Sequence, residues 1–187
     1  MATEVFLRDV RIAFTDTAKG GIWTPGGDGK KAYSCTLLLS PDDTTQVSNL
    51  INAITIEAQE KWKEKAPAIL ASLWATDKVC MHNGDLKAQF DGFSGMYAIS
   101  ARSYTMPLVI GRRREILTKE TGRPYSGCYV IGHIEIWAQD DKDYGKRVNA
   151  GLKGIQYVRD GDAFAAGAPS DPSAFDDLGV EDSSSIV

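Results

Sequence analysis

Two neighbouring stretches, GCYVIGHIEIWAQ (residues 127–139) and RVNAGLKGIQYV (residues 147–158), decide the fold. The first alternates strictly. Cys128, Val130, Ile134 and Ile136 fall on one side, and Tyr129, Ile131, His133, Glu135 and Trp137 on the other. A period of two with apolar residues on one side is the pattern of a half-buried strand. The second stretch continues the pattern but is interrupted by Gly151 and Gly154. Glycine inside a strand has no side chain to pack and marks a bulge or a sharply coiled strand of a small barrel.

Working outward, FLRDVRIAF (residues 6–14) reads as a first strand with Phe6, Val10, Ile12 and Phe14 on one face and Arg8 as the exception. YSCTLLL (residues 33–39) groups Tyr33, Cys35, Leu37 and Leu39, and GMYAISARSYTMP (residues 95–107) sets Tyr97, Ile99 and Ala101 against Met96, Ala98, Ser100, Arg102 and Tyr104. Residues 15–31, TDTAKGGIWTPGGDGKK, are too rich in glycine for long regular structure and predict a loop or mobile hairpin. After the second strand, SPDD offers Ser40 as N-cap, Pro41 at the first helical position and two carboxylates in the first turn. Val47, Leu50, Ile51, Ile54, Ala58 and Trp62 then recur at helical spacing, and the helix should end before Pro67. A short second helix is expected around AILASLW (residues 68–74), with Trp62 and Trp74 in the core. Turn signals at Asn83-Gly84 and Asp91-Gly92 make residues 76–95 loop-like. Five strands with a helix inserted after the second or third predict a mainly β fold, a five-stranded Greek-key barrel of the OB type.

With 187 residues and 43% hydrophobic content, the chain can bury one good core. We expect one domain, residues 1–162, followed by a flexible acidic C-terminal tail, residues 163–187. The opening MATEVFLRDV carries charge from the start, so neither a secretory signal nor a membrane span is expected. Cys35, Cys80 and Cys128 form an odd set without paired spacing, which predicts buried thiols in a reducing compartment such as a bacterial cytoplasm. The net charge of −4 divides unevenly. Of 25 acidic residues, seven (Asp160, Asp162, Asp171, Asp176, Asp177, Glu181 and Asp182) follow residue 159, where no lysine or arginine occurs. That leaves 18 against 21 basic residues before it, a body of +3 carrying a tail of −7. Such a tail either serves solubility or imitates a polyanion that the body binds.

The motifs of common enzymes are missing: there is no phosphate-cradling Gly-x-x-x-x-Gly-Lys, no Gly-x-Ser-x-Gly elbow and no paired histidines at helical spacing. Cys80, His82, Cys128 and His133 would make an S2N2 zinc set only if two distant segments met, and Asp85, Asp91 and Glu135 do not have the spacing of a nuclease centre. We therefore expect neither a catalytic centre nor a cofactor. Binding leaves better traces. Residues 101–127 hold Arg102, Arg112, Arg113, Arg114, Lys119 and Arg123 with Tyr104 and Tyr125 interleaved. Trp23, Lys30, Lys31 and Tyr33 form a second such cluster, and Trp137, Lys153 and Tyr157 a third. Cations that track phosphates beside aromatic faces that stack bases are what single-stranded nucleic acid requires.

YSGCYVIGHIEIWAQ followed by GKRVNAGLKGIQYVRDGD, together with the acidic terminus, resembles the single-stranded DNA-binding proteins of tailed bacteriophages, an OB-fold replication family. The resemblance runs from the first strand through Asp162, and AGLKGIQYVRDGD is its most specific part. Arg102 fits a basic position of that family; the triple arginine at 112–114 has no counterpart in its pattern. The resemblance implies a sequence-independent protein that coats single-stranded DNA during phage replication or recombination and can self-associate on it. It also implies a tail that competes for the DNA groove and recruits phage or host replication proteins. The tail departs from the family in ending SSSIV rather than in an aromatic residue, with Phe175 internal. A virion structural or assembly protein is the alternative reading, and a metal-dependent nuclease a third.

Overall fold

The alternation of residues 127–139 is realised in a long antiparallel hairpin of β8 (Tyr129–Asp141) and β9 (Gly145–Arg159). A computed structural model describes residues 2–164 and 172–180. The other strands are β1 (Thr3–Ala13), β2 (Asp16–Thr17), β3 (Gly20–Gly21), β4 (Tyr33–Leu39), β5 (Met81–Asn83), β6 (Tyr97–Ser103) and β7 (Leu108–Ile110). Helices α1 (Thr44–Trp62) and α2 (Ala66–Ala75) are inserted between β4 and β5. The main sheet has the order β5-β6-β4-β1-β8-β9-β7, and β6 also pairs in parallel with β9 at Ala101–Ala150 and Arg102–Gly151. The architecture is mainly β with a helical insertion after the second long strand, in keeping with the expected class.

Bulges shape this sheet. Opposite His133 and Ile134 the chain of β9 steps from Gly154 to Leu152, so Lys153 is an extra residue, flanked by the expected glycines. A bulge increases twist and reverses the facing of every residue beyond it. Accordingly Val148, Ala150 and Leu152 are buried before it, and Ile155 and Tyr157 after it. The same device corrects the reading of β1. Between Leu7 and Val10 that strand gains one residue over β8, and Asp9 takes a positive φ of 54°. Val5 and Leu7 therefore point inward before the bulge and Val10 and Ile12 after it, which leaves Phe6 49% exposed.

The helices also differ in detail from expectation. Ser40 and Pro41 belong to a preceding turn, and Asp43 is the N-cap, its carboxylate accepting from the Gln46 amide. Helix α1 packs on β1 and β8 through Leu50, Ala53, Ile54, Ala58 and Trp62, while Ile51 faces outward. It ends at Trp62, where Lys63 adopts φ 54° and its N–H returns to the Gln59 carbonyl. Trp62 lies in the core with its indole N–H on Asp140, but Trp74 of the short α2 is 37% exposed.

The main core fills the space between the helices and the inner face of the sheet. A smaller core of Ala13, Leu38, Phe93 and Ala98 lies apart from it, with Phe14, Met96 and Phe164 packed around it. The loop of residues 15–31 is a fastened turn: β2 pairs with β3, and Gly26 exchanges two backbone hydrogen bonds with Ala32. A Cβ on Gly26 would stand 1.7 Å from the Lys19 carbonyl oxygen, so only glycine fits there. All three cysteines are free and buried, and burial pushes the thiols of Cys35 and Cys80 up to about 12 and that of Cys128 to about 11. Among the described residues no group of three or more histidine, cysteine or carboxylate side chains is placed to hold a metal, so the S2N2 set does not assemble. No helix among them is long and apolar enough to cross a membrane.

The chain stays packed on the body through Phe164, whose N–H donates to the Ser126 carbonyl and whose ring lies 4.3 Å beneath the Arg11 guanidinium. Residues 165–171 and 181–187 of the expected tail, with Asp171, Glu181 and Asp182, lie outside the described residues. Residues 172–180 are exposed and contain one short turn at Pro172–Ala174.

Gly132 of β8 faces the core, and a Cβ there would lie 2.4 Å from Cδ1 of the fully buried Leu37. Gly132→Ala should therefore destabilise the fold by about 1–3 kcal/mol in urea unfolding. Combined with Leu37→Ala, which vacates that volume, the loss should fall short of the sum of the two single changes.

Candidate nucleic-acid interface

Ion pairing sorts the cations of the body. Lys119 pairs with Asp16 (3.3 Å), Arg123 with Asp160 (3.6 Å), Lys146 with Asp140 (3.5 Å), Lys153 with Glu135 (3.6 Å) and Arg159 with Asp9 (3.1 Å). Such exposed pairs add little to stability, but each leaves less charge for a polyanion. Among the described residues Arg102 and Arg147 have no carboxylate partner. The parallel contact of β6 with β9 sets both of them on the wall of one open cleft of about 300 Å³, with His82 and Asn149 beside them and Ser34, Thr36 and Ser100 on its floor.

Of the sequence-predicted residues, Lys30, Tyr33, Arg102 and Tyr104 meet at the end of this cleft. Tyr104 follows directly on β6, is 55% exposed, and lies between two cations: the Lys30 ammonium is 4.1 Å from its ring centroid and the Arg102 guanidinium 5.6 Å. Tyr33 opens β4 opposite Ser103 and is half-buried. Lys31, next to Lys30, is exposed. Glycine-rich turn chemistry and a strand pairing thus carry the predicted second cluster to the predicted first. Trp23 does not join them as a free platform, because it is half-buried and packs against the main core.

The remaining predicted residues lie elsewhere. Arg112, Arg113 and Arg114 form the tip of a tight turn after β7, closed by the Gly111 N–H on the Glu115 carbonyl, with Arg114 at φ 66°. Since β7 pairs with β9 at residues 154–156, this tip is about 17 Å along the strand from Gly151. Arg112 is committed to the Val158 carbonyl, and Arg113 and Arg114 are exposed. Trp137, 41% exposed, lines a separate depression with Lys61 and Lys63, and Lys153 is the paired bulge residue. Tyr157 is 7% exposed, because the bulge at Lys153 turns it inward. Its hydroxyl donates to Asp160 (2.6 Å), and Tyr125 donates to the same carboxylate (3.0 Å). Burial first, then that bond, pushes the Tyr157 hydroxyl up to about 12, while the two phenols hold Asp160 below the usual carboxylate value. Tyr157 is a structural node and cannot offer a face for stacking.

Arg147 and Asn149 were missed although their signal was present, since they alternate with Val148 and Ala150 within a stretch already read as a strand. What the alternation lacked was the partner strand. The cleft combines unpaired cations, an exposed aromatic ring and small polar side chains, a surface that can neutralise phosphates and stack a base and holds no reactive constellation.

Comparison with known proteins places the chain in a family. The family described as "Enterobacter phage Enc34, ssDNA-binding protein" matches residues 3–185. Protein p50 of Acyrthosiphon pisum secondary endosymbiont phage 1 is 33% identical over 189 residues, covering 98% of each chain. The single-stranded DNA-binding protein of bacteriophage Enc34, solved in complex with ssDNA, superposes with a TM-score of 0.69 at 27% identity, covering 87% of this chain and 89% of that one. A further structure of the bacteriophage Enc34 protein gives 0.68 at 28% identity, covering 92% and 90%. The gp2.5 single-stranded DNA-binding protein of bacteriophage T7 shares the fold at a TM-score of 0.59 and 11% identity, covering 98% and 100%. The chain belongs to the Enc34 family of phage ssDNA-binding proteins.

Proposed function

We propose that this protein binds single-stranded DNA without sequence preference and coats exposed strands during phage replication or recombination in the host cytoplasm. The observation that carries the reading is the cleft of Arg102 and Arg147, cationic and free of carboxylate partners among the described residues, in a chain of the Enc34 family. The relative solved with ssDNA supports the ligand class. In this reading the strands β1, β4, β6, β9 and β8 form the five-stranded OB barrel, closed by the short β6–β9 contact, and DNA lies across its outer face. Affinity comes from phosphate neutralisation at Lys30, Lys31, Arg102 and Arg147 and from stacking on Tyr104, with Tyr33 alongside; the protein acts by binding and not by chemistry. Arg113, Arg114, Trp137 and Lys153 extend the surface for a longer strand or for self-association on it.

The acidic tail completes the proposal. Tethered at the edge of the body, its carboxylates compete with DNA at millimolar effective concentration and recruit replication proteins once displaced.

Three measurements test these statements, all by titration with an unstructured oligonucleotide followed through tryptophan fluorescence. Tyr104→Ala should weaken binding by about 1–3 kcal/mol with the fold intact; unchanged affinity would remove Tyr104 from the site. Neutralising Arg102 and Arg147 together should lower the salt slope by about 0.7 for each lost phosphate contact, more than neutralising Arg112, Arg113 and Arg114 does. Removing residues 165–187, which spares Phe164, should tighten binding most at low salt; equal affinity across a salt series would leave the tail with solubility or recruitment alone.

A further inference from the structure

A second cleft, of about 990 Å³, adjoins the cationic one, and Phe14 and Ser34 line both. Its wall is aromatic. Phe14 meets Phe90 edge-on at 5.1 Å and Phe93 at 5.5 Å, and Phe90 lies 5.8 Å from Phe93. Phe93 is fully buried in the smaller core and anchors the group, whereas Phe90 is 40% exposed toward the opening. Phe164 closes the far side, held beneath Arg11. Lys19 and Lys87 stand at the opening together with Asp91 and with Asp16, which is paired with Lys119.

The backbone of Phe14 is strained: it takes φ 59°, a left-handed conformation that a bulky residue rarely adopts. The next residue is held from two sides, with the Thr15 N–H on Ser126 Oγ and the Thr15 carbonyl accepting from the Ile22 N–H. Strain maintained by surrounding bonds is a mark of a positioned functional side chain. Here it turns the Phe14 ring out of the β1 ladder and onto the line between the two clefts.

Resting on the single-stranded DNA reading, we propose that the Phe14–Phe90 cleft is a nucleobase subsite that takes an unstacked base of the strand whose phosphates cross Arg102 and Arg147. Two features commit the occupant. The cleft is continuous with the cationic lane through shared residues, so a strand leaving Arg102 reaches it without a break. Its apolar interior with lysines at the opening matches a base turned in and its flanking phosphates left outside. The subsite is not built for one base: phenyl faces dominate its interior, and the hydroxyls of Thr17, Ser34 and Ser126 can each donate or accept.

Phe90→Leu keeps apolar volume and removes the π-face, and Phe90→Trp restores it. In the full chain, Phe90→Leu should weaken binding to a thymidine oligonucleotide roughly 5- to 150-fold. It should leave affinity for the same oligonucleotide built of abasic sugars unchanged, and Phe90→Trp should bind thymidine as the original does, with its added fluorescence quenched. Equal loss on both oligonucleotides, or loss on neither, overturns the subsite. Failure of the unaltered protein to bind thymidine overturns the functional reading itself. Photocrosslinking of the unaltered protein to an oligonucleotide of 5-iodouracil gives an independent readout: adducts at Phe14 or Phe90 are expected, and adducts confined to other residues would also sink the proposal.

Discussion

The parallel contact between β6 and β9 is two residue pairs long, and the cleft lined by Arg102 and Arg147 depends on it. Its members come from opposite ends of a crossover of more than forty residues, a costly closure in conformational entropy. Antiparallel neighbours alone would leave β6 and β9 as distant edges, with Arg102 and Arg147 on separate borders of an open sheet. Coiling brings them together. The extra residue Lys153 twists β9 where it must bend from β8 toward β6. The same pairing thus sets two like charges on one cleft.

How far the fold could be read from sequence follows from which signals are local. The facing of β8 and β4 and the glycine-marked bulge of β9 were legible, because alternation and missing side chains are written into consecutive residues. The bulge of β1 was not, since Arg8 and Asp9 look like ordinary solvent-facing residues of a strand. One undetected extra residue moved Phe6 to the outside, and the recognised bulge at Lys153 had an unrecognised effect of the same kind on Tyr157. The site was legible in residue type and only partly in place. Lys30, Arg102 and Tyr104 converge as their chemistry suggested, but no spacing rule could bring Arg147 to Arg102 or set Phe14 against Phe90. Arg112 to Arg114 were legible as a dense run of charge, but not their place at the tip of a turn after β7, away from the cleft.

Charge on this body is managed by subtraction. With 21 basic residues a protein could present a diffuse cationic surface. Instead carboxylates pair Lys146, Lys153 and Arg159 of β9 and Lys119 and Arg123 of the loop before β8, whereas Arg102 of β6 and Arg147 of β9 have no carboxylate partner among the described residues. The pairs contribute little to stability, and their larger effect is to narrow where a polyanion is attracted.

The three buried thiols have a practical consequence. A thiol must ionise to react, and burial raises Cys35 and Cys80 so far that hardly any thiolate forms at neutral pH. Cys128, fully enclosed, is nearly as inert. A cysteine introduced at an exposed position would therefore outcompete all three for a maleimide dye. The native chain is already a scaffold for single-site labelling, with no need to strip its own sulfur from the core.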